Sequence, residues 1–177
     1  AGDSALDLAT TQDMAQASGA VAAINAGFFN WIQGGNGYAD GPVVQSGDLI
    51  SANSEYNRYG DYMATFALSK DNEAIFEYWK TDIFLIAPNG NQVQVVNFNK
   101  PSTYYYDFTV LDRRWGTYSV GASEVYPDIY EMVVIDGIVA EIRCNLPSIE
   151  IPENGYVVVT RTTGSEFLLN NFKVGDP

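Results

Sequence analysis

The stretch Gly19-Ala20-Val21-Ala22-Ala23-Ile24-Asn25-Ala26-Gly27-Phe28-Phe29-Asn30 carries the most information in this sequence of 177 residues. Residues 20–26 are an almost continuous run of small apolar side chains, which predicts a central strand buried on both faces. The run ends at Asn25-Ala26-Gly27, before two phenylalanines and a glycine-rich loop over residues 33–41. Because a rigid strand that leads into a glycine-permissive polar loop is a typical place for a binding site, we expect a ligand at residues 25–31, here called the corner.

A short helix is predicted immediately before this stretch. Thr10 can cap the start of a helix, and Asp13 would lie in its first turn, near the positive end of the helix dipole. Gly19 suits the position just after the helix. We expect the helix to cover one face of a sheet.

Most of the remaining sequence predicts β-hairpins. Turn residues separate apolar runs at residues 46–48, 70–73, 88–91 and 136–137. Asp136-Gly137 is the pair that a type I′ turn favours. Further strands are predicted over residues 104–111 and 154–160, and a one-turn helix capped by Ser165 over residues 165–170.

These elements predict an α+β fold, with a largely antiparallel, mixed sheet built from hairpins and one or two short helices. The length suits a single domain over residues 1–177. Residues 174–177 resemble the turn before another strand, so we expect the sheet to be incomplete without downstream sequence.

The composition excludes several classes of function. The formal net charge is −13, from 22 acidic and 9 basic residues, and a field of that sign repels nucleic acid and anionic membranes. The absence of histidine excludes imidazole-based catalysis, and the single cysteine excludes thiolate zinc clusters. There is no apolar run long enough to span a membrane. Acidic, tyrosine-rich and nearly cysteine-free chains are common among bacterial secreted proteins, which indicates an extracellular or cell-surface location.

The order of several motifs carries a family resemblance over nearly the whole chain. The motifs are GAVAAINAGFFN, GPVVQSGDLIS, FALSKDNEAIF, NFNKPS, VLDRRWG, VVIDGIVAEI, IPENGYVVV and KVGDP. In this order they resemble the N-terminal portion of the phosphodiester glycosidase family, the family of the uncovering enzymes. Members of that family continue to an Arg-Thr segment and an Asp-Gly-Gly-Gly-Ser segment that contribute to the site, and this sequence ends before them. The resemblance therefore implies that the chain carries part of a composite site.

Four residues of the corner are candidate ligand contacts: Asn25, Gly27, Phe28 and Trp31. The resemblance implies that Asn25 binds a sugar hydroxyl or a phosphate oxygen, that Gly27 lets the backbone approach, and that Phe28 forms a wall. Trp31 is the best candidate for stacking on a sugar ring. The alternative interpretation has Asn25 satisfying the loop and the aromatic rings packed in the core.

Asp40, Arg113 and Arg114 complete the candidate set. Asp40 is compatible with a catalytic carboxylate, with a ligand to a hard cation together with Asn36, or with a bond to its own backbone. Arg113-Arg114 is the adjacent basic pair of the sequence, and guanidinium groups match phosphate oxygens. A solvated pair beside acidic residues is the alternative. The catalytic carboxylate stays unassigned, and no cofactor is identified, although a divalent cation is compatible with the composition.

The resemblance implies a function, namely hydrolysis of a sugar-1-phosphodiester at the anomeric carbon of a surface or extracellular glycan. This chain would supply part of that secreted enzyme. The alternative is a non-catalytic glycan-binding or structural module of a cell-surface protein. The expected partners are a carbohydrate or sugar-phosphate ligand and either the downstream part of the same parent protein or a second copy, with no nucleic acid and no membrane span.

Overall fold

A computed structural model describes residues 5–25, 27–32, 36–54 and 62–177. Within these ranges the chain is mostly sheet with two short helices, which confirms the α+β class. The elements are α1 (Thr11–Ser18), β1 (Phe29–Trp31), β2 (Gly37–Ala39), β3 (Val43–Gln45), β4 (Asp48–Asn53), β5 (Met63–Leu68), β6 (Ala74–Trp79), β7 (Phe84–Ile86), β8 (Gln92–Phe98), β9 (Phe108–Leu111), β10 (Ile129–Ile135), β11 (Ile138–Cys144), β12 (Gly155–Arg161) and α2 (Thr163–Asn171).

Helix α1 has the two ends that its sequence predicts. The Thr10 hydroxyl accepts the Asp13 N–H at 3.1 Å and donates to the Asp13 carboxylate at 2.7 Å. Gly19 follows in the left-handed conformation, with φ of 67°. The expected covering role is wrong, because no residue of α1 is buried. Its apolar positions are too few and too small to displace water from a sheet.

The predicted central strand over residues 20–26 is also wrong. Residues 20–25 form no strand and are exposed, and the exposed fractions of Val21 and Ile24 are 106% and 85%. Ala26 lies outside the described residues. Continuous apolarity identifies side chains that gain from burial, but a strand also needs a neighbouring strand for its N–H and C=O groups. In the described part of the structure, no strand pairs with residues 20–25.

Strand β12 has an interior position in the main sheet, between β10 and β9. Within the described ranges this sheet has the order β11-β10-β12-β9-β8-β4-β3, with β7 also paired to β8. The β8–β9 pair is parallel, and the other pairs are antiparallel, as a mixed sheet of hairpins requires. Val157, Val158 and Val159 of β12 are fully buried.

Both faces of β12 are covered by apolar side chains. Val158 belongs to a first core cluster with Met132, Phe108 and residues of α2. Val157 and Val159 point the other way, into a second cluster that contains Tyr105, Leu111, Ile129, Val133 and Ile151. Alternate residues of one strand therefore serve two layers, which is the pattern of a doubly covered strand.

The predicted hairpins are confirmed where the structure describes them. The turns at residues 46–47, 70–73, 87–91 and 136–137 join β3 to β4, β5 to β6, β7 to β8 and β10 to β11. Asp136 and Gly137 have φ of 51° and 78°, as a type I′ turn requires. Residues 33–35 of the predicted glycine-rich loop and residues 55–61 lie outside the described residues.

Three other boundaries differ from the prediction. Residues 37–39 of the predicted loop form β2, which pairs with β1. The strand predicted over residues 104–111 is limited to β9, because Tyr105 has φ of 54°. Helix α2 begins at Thr163 rather than at Ser165, which is buried and donates to the Thr162 carbonyl. A serine whose hydroxyl bonds a carbonyl of the preceding turn cannot be distinguished by sequence from a serine that caps a helix.

Neither helix could cross a membrane, since in the part of the chain that the structure describes no helix is long and apolar enough.

Substitution of Val158 tests whether β12, and not the run at residues 20–26, is buried in the sheet. We expect Val158→Ala to lower the free energy of unfolding by about 2–3 kcal/mol, because it removes buried methyl groups and leaves a cavity. Val21→Ala is the matched control and should change it by less than about 0.5 kcal/mol, since Val21 is exposed. Urea titration followed by tryptophan fluorescence measures both values. A larger loss of stability in Val21→Ala than in Val158→Ala would support the prediction that residues 20–26 form a buried strand.

Candidate functional site

The corner lies at the surface, at the start of the β1–β2 hairpin. Phe28, Phe29 and Trp31 have exposed fractions of 86%, 58% and 70%. The alternative in which these aromatic rings pack in the core therefore does not describe this structure. An apolar surface of this kind marks an interaction site more often than an ordinary solvent-exposed surface does.

The two remaining corner candidates are also accessible. Asn25 is exposed, and its side-chain oxygen accepts the Thr11 hydroxyl of α1 at 2.6 Å. A Cβ atom built on Gly27 would meet no atom within 4 Å. Gly27 is therefore open on that side, and a ligand could approach its backbone.

Asp40 joins the corner to the main sheet. Its N–H donates to the Phe28 carbonyl at 2.9 Å, and its carboxylate accepts the Asn30 amide at 2.5 Å. Its own carbonyl and that of Gly41 each accept a hydrogen bond from Lys100 Nζ at 2.9 Å. The position of Asp40 is therefore set by backbone and side-chain contacts on both sides.

Lys100 is the residue of this site that sequence reasoning missed. Its side chain is fully buried, which is unusual for a lysine. Burial lowers its pKa from 10.5 to about 8, against the opposing effect of the Asp40 charge. Asn99, with φ of 51°, makes the bend that takes Lys100 out of β8. In the sequence, NFNKPS marks a break directly after an apolar strand, but it does not indicate that the lysine is buried.

Asn99 and Asp112 continue the polar cluster beyond the ends of β8 and β9. The Asn99 amide donates to the Ile50 carbonyl and to the Asp112 carboxylate, both at 2.8 Å, and its oxygen accepts the Asp112 N–H at 2.9 Å. The Asp112 carboxylate accepts the Arg114 Nε–H at 2.9 Å. The Arg114 guanidinium also lies 5.7 Å from the centre of the Phe98 ring. The structure thus connects two predicted candidates, Asp40 and Arg114, through Lys100, Asn99 and Asp112.

The other arginine of the predicted pair has different partners. Arg113 Nη2 lies 2.6 Å from a Glu150 oxygen and 3.1 Å from a Glu153 oxygen. Asp112 bonds Arg114, and the pKa of Arg114 is raised mainly by that bond. The two guanidinium groups therefore interact with separate acidic groups.

Asp40 is also a predicted cation ligand, together with Asn36. The Asn36 carbonyl accepts the Ile32 N–H at 2.8 Å, and the Asp40 carboxylate accepts the amide of Asn30. Among the described residues, no three or more Asp, Glu or Cys side chains converge as a metal site requires.

Comparison with known proteins shows the fold and leaves the chemistry open. Neither a protein-family model nor a curated protein sequence matches the chain. A hypothetical protein from Synechocystis has a similar structure, with a TM-score of 0.76 and 20% identity. The "Putative exported protein" from Burkholderia pseudomallei is similar too, with a TM-score of 0.75 and 19% identity. Both alignments cover 98% of this chain, which spans 30% of the first protein and 39% of the second.

Proposed function

We propose that this chain supplies part of a composite active site, namely the part built around the corner. The complete site hydrolyses a sugar-1-phosphodiester. The observation that carries the proposal is the attachment of Asp40 to the sheet by Lys100, beside an exposed aromatic surface. A carboxylate in a defined position next to exposed aromatic rings is the combination that sugar recognition uses. The order of the motifs, from GAVAAINAGFFN to KVGDP, supports the same assignment.

In this proposal the corner binds the sugar. Trp31 stacks on the apolar face of the sugar ring, and the Asp40 carboxylate accepts a sugar hydroxyl. The phosphate is already a good leaving group, so the reaction depends less on a strong general acid than ordinary glycoside hydrolysis does. It needs stabilisation of an oxocarbenium-like centre and a carboxylate that activates water or attacks directly. That second carboxylate is unassigned.

Further sequence is expected to complete the site. The apolar side chains at the corner are exposed, and the chain spans 30% and 39% of the two similar proteins. A segment that covers the corner would exclude water from the reaction and bring further ligands. Because one of the similar proteins carries the description "exported" and a polymeric glycan is met outside the cell, we also propose an extracellular or cell-surface location.

The test measures release of free sugar from methyl diesters of hexose and N-acetylhexosamine 1-phosphates. It compares the 177-residue chain with the same chain extended by the sequence that follows Pro177 in its gene. We expect hydrolysis by the extended protein, and little or none by the shorter one. In the extended protein, Asp40→Asn should lower kcat/KM by about 100-fold, since it removes a charge that acts near the reacting centre.

Two further variants make this result interpretable. Trp31→Ala should raise KM by about tenfold with a smaller change in kcat, because stacking contributes to binding. Asp71→Asn, in the exposed β5–β6 turn, is the control for Asp40→Asn and should leave the kinetics unchanged. An unchanged kcat/KM in Asp40→Asn, or no hydrolysis by the extended protein, would show that the proposal is wrong.

A non-catalytic glycan-binding module is the second candidate, and the exposure of Trp31 favours it. It predicts binding of the same diesters or of longer glycans without any release of sugar, and loss of that binding in Trp31→Ala. Calorimetry on the extended protein therefore separates the two candidates, since turnover accompanies binding in one and is absent in the other.

A further inference from the structure

Three consecutive tyrosines at residues 104–106 form a second aromatic feature, remote in sequence from the corner. Tyr105 has φ of 54°, and its ring is buried against the edge of Tyr126, with 5.2 Å between ring centres. Burial raises the pKa of Tyr105 to about 12. Its two neighbours point to solvent, with exposed fractions of 58% for Tyr104 and 51% for Tyr106. Their rings stack at 5.5 Å with an angle of 15° between planes.

Arg161 holds this pair of rings in place. Its guanidinium carbon lies 5.4 Å from the ring centres of both Tyr106 and Tyr126. Its Nη1 donates to the Tyr104 carbonyl at 3.1 Å, and its Nε donates to the Asp128 carboxylate at 2.6 Å. The Arg161 side chain is only 12% exposed. The guanidinium is thus occupied by protein groups, and the rings are fixed before any ligand arrives, which lowers the entropic cost of binding.

A groove of about 340 Å³ adjoins Tyr106. Its apolar walls include Phe108 and Phe167, and its polar positions are Gln94, Asp107 and Thr163. The volume lies at the lower end of the range for small-molecule sites, which is about 300–1,000 Å³. Gln94 lies in β8, whereas Lys100 follows the end of that strand. The residues that line the groove include none of Phe28, Asn30 and Lys100, which contact Asp40, so the groove is a site separate from Asp40.

We propose that the exposed face of the Tyr104 ring and the adjoining groove beside Tyr106 bind one or two rings of a neutral saccharide. The C–H face of a pyranose opposes the electron-rich face of an aromatic ring, and its hydroxyls can bond an amide, a carboxylate and a hydroxyl. An anionic ligand would meet the Asp107 carboxylate in a protein of charge −13, with Arg161 already paired to Asp128. This site is independent of the proposed hydrolysis at the corner.

Affinity electrophoresis and calorimetry on the 177-residue chain test the proposal, with cellohexaose, maltohexaose, chitohexaose and dextran as probes. We expect at least one of these neutral probes to bind. Tyr104→Ala and Tyr106→Ala should each weaken that binding by about tenfold. Tyr104→Phe should retain it, because the ring face is kept. Since Tyr104 is largely exposed, its substitution is not expected to disturb folding even if that of Tyr106 does.

Two controls separate binding in this groove from binding elsewhere on the protein surface. Tyr118 is 59% exposed and lies outside the groove, so Tyr118→Ala should leave binding unchanged. Binding that persists in Trp31→Ala is assigned to the groove, which separates the groove from the corner. The proposal is overturned if no neutral probe binds, if Tyr104→Ala binds as the wild type does, or if polygalacturonate binds more tightly than every neutral probe. If Trp31→Ala is the only variant that loses binding, the saccharide binds at the corner and not in the groove.

Discussion

Replacing Lys100 with methionine is expected to lower the free energy of unfolding by about 3 kcal/mol at pH 7. Methionine fills a similar volume, but it leaves the partly buried carbonyls of Asp40 and Gly41 without their donor. Each unpaired buried polar group costs about 1–3 kcal/mol, which exceeds the gain from removing one buried charge that is already well solvated by these carbonyls. Urea unfolding measures the loss, and Lys70→Met at an exposed turn is the control.

The same variant has a predicted pH dependence. Folding lowers the pKa of Lys100 to about 8, whereas the unfolded chain keeps the ordinary value of 10.5. Between these values the unfolded state binds the extra proton, so the stability of the wild type rises with pH. From pH 7 to pH 9.5 the rise amounts to about 2 kcal/mol. The burial that raises the pKa of Tyr105 to about 12 acts in the opposite direction only above pH 10, outside this window.

The difference between wild type and Lys100→Met should therefore widen from about 3 to about 5 kcal/mol over this pH range. Unfolding curves recorded at pH 7, 8, 9 and 9.5 give the difference at each value. If the two proteins keep a constant difference, Lys100 titrates in the folded state as an exposed lysine does, and its ammonium group is not buried. If the variant is as stable as the wild type, the two carbonyl bonds contribute nothing to the attachment of the corner.

A single methyl group at Gly121 should have the largest effect of these substitutions on stability at pH 7. Gly121 has φ of 64°, and a Cβ atom there would overlap the backbone nitrogen and Cα of Ser148. Its N–H also donates to the buried Glu131 carboxylate at 3.0 Å. Because neither backbone can yield without opening the contact between them, we expect Gly121→Ala to cost about 4 kcal/mol or more.

The location of Gly121 explains why this cost extends beyond one residue. Neighbouring bonds run from the Ser119 N–H to the Ile149 carbonyl at 2.9 Å and from the Ala122 N–H to the Leu146 carbonyl at 2.7 Å. These segments cover the second core cluster and Glu131, whose pKa is raised by burial. Separating the segments around Gly121 and Ser148 would expose the second core cluster and Glu131 to water.

Gly137→Ala provides a matched control for the backbone conformation. Gly137 has φ of 78°, but a Cβ atom there meets nothing within 4 Å. Its substitution should therefore cost only the strain of a left-handed alanine, about 1–2 kcal/mol. Denaturant titration of both variants gives the difference, which isolates the collision with Ser148. Equal losses at the two glycines would mean that the segments around Gly121 and Ser148 are not in contact.

Local chemistry was enough to predict the hairpins and the first helix. Asp136-Gly137 specifies a type I′ turn because both residues must adopt positive φ, and the structure has that turn. Thr10 and Gly19 specify the ends of α1 through bonds that span only a few residues. In the candidate site, Asp40 and Arg114 were identified for their own functional groups. The ligand roles of all the candidates stay predictions, namely those of Asn25, Gly27, Phe28, Trp31, Asp40, Arg113 and Arg114.

Burial and strand neighbours could not be derived in this way. Residues 20–26 and residues 157–159 are both apolar runs, yet only β12 has β9 and β10 beside it and a core cluster on each face. Lys100 has the local sequence of an ordinary surface lysine, because its two acceptors are carbonyls about sixty positions earlier in the chain. By itself the sequence determined the turns, the ends of α1 and the α+β class, since these depend on residues a few positions apart. The order of the strands, the exposure of the corner and the burial of Lys100 depend on contacts between distant segments, and only the tertiary structure contains them.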